Sequence, residues 1–147
     1  MKKTLLLACF ATLFYSTLCS ADNHKDELAE GLAVIVTSDN HQTQMMAMIL
    51  SLQSIKAHQK DVHITLCGPA GDLALKGTET PKIKPVNASP SMMLQKLLKM
   101  GATIEVCPLY LPNKNKTEKD LIEGLTVAEP VEIAERLLNK SYKNLTY

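Results

Sequence analysis

Short apolar runs and segments of helical periodicity alternate along residues 32–147, and this alternation limits the chain to few folds. Residues 32–37 form a continuous apolar run that ends at polar residues 38–40, as is typical of a strand buried in a parallel sheet. In residues 42–58 the apolar side chains instead recur every three or four positions, on one face of a helix. The alternation predicts an α/β fold, with a mostly parallel sheet that carries helices on both faces.

The remaining elements follow from turn residues and helix caps. Ser89 followed by Pro90 is typical of a helix start, and Thr117 with Asp120 resembles a capping box. A last helix is predicted to begin at Pro130. Its apolar side consists of Val131, Ala134, Leu137 and Leu138. The further predicted strands lie at 62–67, 102–107, 125–128 and 142–147, and the further helices at 70–76, 90–100, 117–123 and from 130.

The N-terminus has the three parts of a secretory signal peptide. Two lysines precede an uncharged apolar stretch at 4–18, which is too short for a comfortable membrane span of about 20 residues. Small residues at 19–21 then suit cleavage after Ala21. We therefore expect the mature protein to begin near Asp22.

This cleavage site divides the chain into a signal peptide at 1–21, a flexible polar arm at 22–31 and a folded domain at 32–147. Two alternatives stay open: a lipoprotein cleavage box at 6–9, and an N-terminal helix that belongs to the fold. A short signal with two lysines is typical of bacterial export. We expect a periplasmic or secreted protein with no membrane attachment after cleavage.

The balance of charges bears on the partners of the mature protein. Cleavage would remove two of the 16 basic residues and none of the 15 acidic residues, which leaves a nearly neutral chain. Such a chain has no general electrostatic attraction for nucleic acid or for an anionic membrane. We expect neither of them as a partner.

Reactive side chains stand at three predicted strand ends, where ligands gather in parallel sheets. Cys107 is the strongest candidate for chemistry, because a thiol at a strand end can reach the surface crevice and a nearby helix N-terminus favours the reactive thiolate. It could instead be an inert cysteine that packs at the strand end. The supporting candidates are Asp39 and His41 after the first strand, Cys67 after the second and Tyr110 beyond the third.

Motifs for metal or cofactor binding are missing from the sequence. There is no histidine pair with ligand spacing, no C-x-x-C, no H-E-x-x-H and no glycine-rich phosphate loop. We therefore predict neither a metal nor a cofactor.

Two cysteines, Cys67 and Cys107, would remain after signal cleavage, either as separate thiols or as one disulfide. A disulfide needs Cα atoms within about 7 Å of each other, and neighbouring strands lie about 4.8 Å apart. The bridge is therefore within easy reach only if the second and third strands pair directly.

Three segments resemble the DsrE/DsrF-like family. Residues 101–108 (GATIEVCP) are similar to a strand of that family with the pattern G-A-x-V-x-V-C-P. Residues 34–38, followed by a methionine-rich helix, resemble its opening strand and helix, and residues 120–125 resemble its D-L-I-x-G-V segment. The resemblance spans about residues 32–147.

The resemblance implies a three-layer α/β/α fold of flavodoxin-like layering with a five-stranded parallel sheet, assembled into homo-trimers or homo-hexamers. Some family members carry a persulfide on the cysteine that Cys107 matches, so Cys107 is the candidate sulfur-accepting residue, with a sulfur donor or acceptor protein as partner. Tyr110 stands where many relatives have a second cysteine, so no resolving thiol is predicted at that position. A non-catalytic oligomeric module, with Cys107 as a packing residue, is the alternative.

Overall fold

The computed structural model describes residues 28–147, and the elements in this part of the chain alternate as the sequence predicts. The strands are β1 (Gly31–Val36), β2 (Asp61–Leu66), β3 (Thr103–Val106), β4 (Thr126–Val127) and β5 (Tyr142–Thr146). The α-helices are α1 (His41–His58), α2 (Pro90–Lys99), α3 (Tyr110–Asn113) and α4 (Pro130–Leu138). Two 3₁₀ segments cover Gly68–Ala74 and Glu118–Asp120.

The five strands form one parallel sheet in the order β4-β3-β2-β1-β5. Val36 of β1 pairs with Leu66 of β2, and Leu66 pairs with Val106 of β3, so these three strands end level with one another. The predicted α/β fold with a five-stranded parallel sheet is confirmed. Its carboxyl edge brings together the residues that follow β1, β2 and β3.

Helices α1 and α2 pack beside each other on one face of the sheet and enclose the core. Val34, Ile64 and Ile104 project onto this face from successive strands, in one fully buried cluster with Met48 of α1 and Leu97 of α2. Each such side chain stabilises the fold by about 1.5–3 kcal/mol when it is removed from water. The core therefore anchors the three strands whose ends carry the reactive residues.

The opposite face of the sheet is more polar and is covered by α4. Ile133, Arg136 and Leu137 lie against strand residues that include His63. Arg136 donates a hydrogen bond from Nη1 to Oε2 of Glu105 at 3.1 Å, and these side chains are only 14% and 8% exposed. An ion pair thus joins α4 to β3 in place of an apolar contact.

The predicted apolar side of α4 does not face the sheet as a whole. Val131 is 69% exposed and Leu138 is 82% exposed, and Ala134 is exposed with them, while Leu137 is half-buried. The physical reason is the ion pair of Arg136, which turns a charged residue toward the sheet and leaves an apolar stripe on the outside.

Local structure differs from the sequence-based expectation in two further places. The segments predicted as helices at 70–76 and 117–123 are short 3₁₀ turns, although the capping box between Thr117 and Asp120 is present. The sequence does not predict helix α3, because Pro108 shortly precedes it, Pro112 lies within it and the segment has no apolar periodicity.

The signal peptide, the lipoprotein alternative and most of the predicted arm lie outside the described residues. Strand β1 begins at Gly31, one residue inside the predicted arm, and Glu30 already donates its N–H to the carbonyl of Ser141 at 2.8 Å. Within residues 28–147, none of the helices combines the length and the apolar character that a membrane crossing requires.

Candidate thiol site

Cys67 and Cys107 lie side by side at the carboxyl edge of the sheet, because β2 and β3 are direct neighbours that end level. The backbone ladder continues through both residues. Cys67 donates its N–H to the carbonyl of Val36 at 2.9 Å, and Cys107 donates its N–H to the carbonyl of Leu66 at 2.8 Å. The sheet therefore holds both cysteine backbones, and both side chains are half-buried free thiols.

The two thiols are close enough for Cys107 to affect the ionisation of Cys67. Burial, followed by the charge of Cys107 and a hydrogen bond with it, raises the pKa of the Cys67 thiol to about 11. Cys67 therefore keeps its proton at neutral pH and can donate its S–H to the sulfur of Cys107. This arrangement gives one sulfur the role of proton donor to the other.

A cleft with a volume of about 480 Å³ opens beside Cys107. Two segments form its walls: the 3₁₀ segment that follows Cys67, and the turn and helix α3 that follow Cys107. Its volume lies in the range of small-molecule sites, about 300–1,000 Å³. The lining residues are Gly68, Pro69, Asp72, Cys107, Leu109, Tyr110, Asn113 and Lys114.

Tyr110 joins the two walls of the cleft. Its ring occupies the space that a side chain at Gly71 would need, and its hydroxyl donates a short hydrogen bond to Oδ1 of Asp72. Nζ of Lys114 lies 3.0 Å from the same carboxylate oxygen and 5.8 Å from the centre of the Tyr110 ring. The three side chains fix α3 against the 3₁₀ segment.

Hydrogen bonds determine which side chains of this network are ionised. Burial opposes ionisation of Asp72, but hydrogen bonds from Tyr110 and Lys114 outweigh it and lower the pKa of the carboxyl group. Burial and the bond to Asp72 raise the pKa of Tyr110, so its hydroxyl stays neutral. Tyr110 therefore acts in this geometry as a hydrogen-bond donor and a wall.

Asp39 and His41 lie at the end of β1, and neither lines the cleft. His41 begins α1, and its Nδ1 lies 3.2 Å from Oε1 of Gln44, whose Nε2 donates to the carbonyl of Ser38 at 2.9 Å. These contacts belong to the start of α1, which Asn40 caps.

Sequence reasoning missed Asp72 and Lys114 as residues of the site. Both belong to segments without a recognisable motif, and they meet only because two separate chain segments fold over adjacent strand ends. The spacing of Cys67 and Cys107 in the sequence could not decide their proximity either, because it does not reveal the order of strands in the sheet.

Two solved structures are similar to this chain. The crystal structure of the ychN protein from E. coli matches with a TM-score of 0.63 and 19% sequence identity, over 80% of this chain and 99% of that chain. The structure of MTH1491 from Methanobacterium thermoautotrophicum, described as a protein of unknown function, matches with a TM-score of 0.55 and 15% identity, over 78% and 96% of the two chains. The fold is DsrE-like.

Sequence comparison adds no assignment, since no family model matches the chain and no curated protein matches it. Across residues 28–147, the side chains of His, Cys, Asp and Glu do not gather in groups of three or more that could hold a metal ion. The chemistry available at this edge of the DsrE-like fold is that of two adjacent thiols.

Proposed function

We propose that this chain is a thiol protein that accepts a sulfane sulfur on Cys107. The observation that carries the proposal is the juxtaposition of Cys67 with Cys107, which lines a cleft. A DsrE-like fold supports it, because the sequence resemblance to sulfur-carrying proteins falls on the same strand end.

The reaction is a transfer of sulfur between two sulfur atoms. The Cys107 thiolate, the form of cysteine that attacks sulfur, attacks the outer sulfur of a low-molecular-weight persulfide, R–S–S–H. A new S–S bond forms to Cys107, the S–S bond of the donor breaks, and R–S⁻ leaves with the electron pair. The transferred sulfur keeps its proton, so Cys107 ends as a persulfide and no outside oxidant or reductant is needed.

The cleft fits a small donor of this class. Pro69, Leu109 and the ring of Tyr110 give it an apolar lining beside the Cys107 sulfur, and Lys114 places a cation at the rim. Low-molecular-weight thiols in cells commonly carry a carboxylate, and an ammonium group can pair with it. We therefore propose Lys114, whose Nζ also lies 3.0 Å from Oδ1 of Asp72, as the residue that orients the donor.

Intact mass spectrometry tests the sulfur-accepting function. The reduced protein without residues 1–21 is mixed with glutathione persulfide, and we expect Cys107 to gain one sulfur atom or to form a product that descends from that gain. Cys67→Ala and Cys107→Ala form a matched pair, since each removes one thiol from the same edge. A mass gain that survives in Cys107→Ala would exclude Cys107 as the acceptor.

Export and assembly complete the proposal. Because residues 1–21 resemble a signal peptide, we propose that the mature protein lies in the periplasm or outside the cell. We also propose that it assembles as a trimer or hexamer of identical chains. N-terminal sequencing of the protein from a periplasmic extract tests the first part: a start near Asp22 supports export with cleavage, and an intact Met1 contradicts it.

A non-catalytic oligomeric module is the second candidate function, and one observation favours it. The outer side of α4 carries Val131, Ala134 and Leu138 as an exposed apolar stripe, and Met46 and Leu50 of α1 are also exposed. Large apolar side chains grouped on a surface are typical of protein contacts. Sedimentation of the protein and of a Val131→Lys/Leu138→Lys variant tests whether this stripe holds copies together, and equal masses would contradict that use of it.

A further inference from the structure

We propose that Cys67 discharges the persulfide on Cys107, so that the thiol pair reduces the accepted sulfur and releases it as hydrosulfide. The inference rests on the proposed function and adds to it a second catalytic thiol and a product. Its basis is that Cys67 lies next to the sulfur atom that would receive the persulfide.

The sheet geometry permits a bond between the two sulfur atoms. Neighbouring parallel strands lie about 4.8 Å apart, and a disulfide needs Cα atoms within about 7 Å. Leu66 and Val106 are paired immediately before the two cysteines, and the ladder continues through Cys67 and Cys107. With β2 and β3 adjacent, the condition that the sequence left open is met.

The chain leaves the sheet directly after each cysteine. Gly68 has a φ of +52°, a left-handed conformation that favours glycine, and it turns the chain away after Cys67. Pro108 follows Cys107 and has no N–H to extend the ladder. Each cysteine is therefore the last residue held by the strand, where a small movement of the side chains costs little.

The discharge step balances without any added reagent. The outer sulfur of the ionised Cys107 persulfide takes the proton of Cys67, and the Cys67 thiolate attacks the inner sulfur. The Cys67–Cys107 disulfide forms, and the bond to the outer sulfur breaks. The outer sulfur leaves with the electron pair, and the proton of Cys67 goes with it, so an ionised persulfide yields HS⁻. In this step the Cys67 sulfur is oxidised from thiol to disulfide while the outer sulfur is reduced to sulfide, and over acceptance and discharge together two thiols become one disulfide.

Cys67 is suited to this second role rather than to the first attack. It is protonated at neutral pH and adjoins Cys107, so it can pass its proton to the outer sulfur of the persulfide and attack as the thiolate that this transfer leaves. The resulting disulfide ends the turnover. A dithiol reductant must then restore the two thiols before another sulfur is accepted.

A single-turnover experiment tests the inference. The reduced protein without residues 1–21 is freed of reductant and mixed with one equivalent of glutathione persulfide, and released hydrosulfide and intact mass are followed together. We expect the wild type to release hydrosulfide and lose two hydrogen atoms as the bridge forms. We expect Cys67→Ser to release none and to retain one extra sulfur atom on Cys107.

The outcomes distinguish a failure of this inference from a failure of the proposed sulfur-accepting function. If Cys67→Ser takes up sulfur and releases hydrosulfide as fast as the wild type, the role of Cys67 is wrong and the acceptor role of Cys107 stands. If neither protein gains sulfur or forms a bridge, both proposals fall. Should Cys67→Ser not fold, peptide mapping of the treated wild type decides: a Cys67–Cys107 peptide supports the step, and a persistent persulfide on Cys107 overturns it.

Discussion

The ring of Tyr110 lies in the space that a side chain at Gly71 would occupy, and this contact connects the two chain segments that wall the cleft. Gly71 belongs to the 3₁₀ segment after β2, and Tyr110 begins α3 after β3. The absence of a side chain at Gly71 lets the ring approach the backbone closely. Its hydroxyl then reaches Asp72, so the position of α3 depends on a glycine.

Gly71→Ala is expected to destabilise the protein by about 1–3 kcal/mol, the usual cost of forcing extra atoms into a packed site. The added Cβ collides with the Tyr110 ring. Urea unfolding of the wild type, Gly71→Ala, Tyr110→Ala and the double variant measures the coupling. The cost of Gly71→Ala should fall when Tyr110 is already alanine, and an unchanged cost would show that the ring is not the obstacle.

Breaking the ion pair between Arg136 of α4 and Glu105 of β3 is expected to lower the free energy of unfolding. Arg136→Met leaves the carboxylate of Glu105 buried without its partner, and losses of about 3–5 kcal/mol are typical of such changes. Denaturant unfolding measures the loss. The double variant Arg136→Met/Glu105→Gln is the control, since it removes the stranded charge and should recover part of the stability. No recovery would mean that packing by Arg136, and not its charge, is what matters.

The reactivity of Cys67 is expected to depend on Cys107. The charge of Cys107 is one cause of the raised pKa of Cys67, so Cys107→Ser should lower that pKa and speed alkylation of Cys67 between pH 8 and pH 10, a window just below its pKa of about 11. The rate of iodoacetamide labelling, followed by peptide mass at several pH values, checks this. An unchanged pH profile of Cys67 in Cys107→Ser would contradict electrostatic coupling of the thiols.

Acid is expected to weaken a network at the amino edge of the sheet. Burial opposes ionisation of Asp61, but hydrogen bonds from Tyr142 at 2.5 Å and from His63 at 2.8 Å outweigh it and lower the pKa of the carboxyl group. A lowered pKa stabilises the fold above the unfolded-state value of 3.8, and this contribution is lost as pH falls through the folded value.

Thermal unfolding from pH 6 to pH 2 measures that loss. Asp61→Asn should unfold with a weaker dependence on pH below 4, while Asp39→Asn, on an exposed carboxylate at the opposite edge, serves as the control. Parallel pH profiles for the wild type and Asp61→Asn would contradict the assignment.

The sequence predicted the fold better than it predicted the site. Continuous apolar runs and a change of period are local signals, so the strands and long helices could be recognised along the chain. The proximity of Cys67 and Cys107 depends on which strands are neighbours. The sequence of each strand does not show where that strand lies in a parallel sheet. The family resemblance indicated that the second cysteine of many relatives is missing at Tyr110. The thiol that adjoins Cys107 is instead Cys67, which follows another strand.

The sequence predicted helix α4 but not which of its sides lies on the sheet, and the reason is a different one. Apolar periodicity predicts which residues share a side of a helix, but it does not predict that Arg136 will turn toward a carboxylate in the sheet. Helix α3 has four residues and no repeat that a pattern could reveal. Both cases depend on interactions between residues far apart in the sequence.

At the carboxyl edge, the sheet positions the two cysteines and other segments form the cleft, and this separation affects how proteins with this fold can diversify. The backbone ladder fixes the two sulfur-bearing residues, while the surrounding walls come from two short segments beyond the sheet. Changes at Leu109 or Lys114 can therefore reshape what enters the cleft and leave the thiol pair where it is. Selection can therefore alter the shape of the cleft independently of the two thiols.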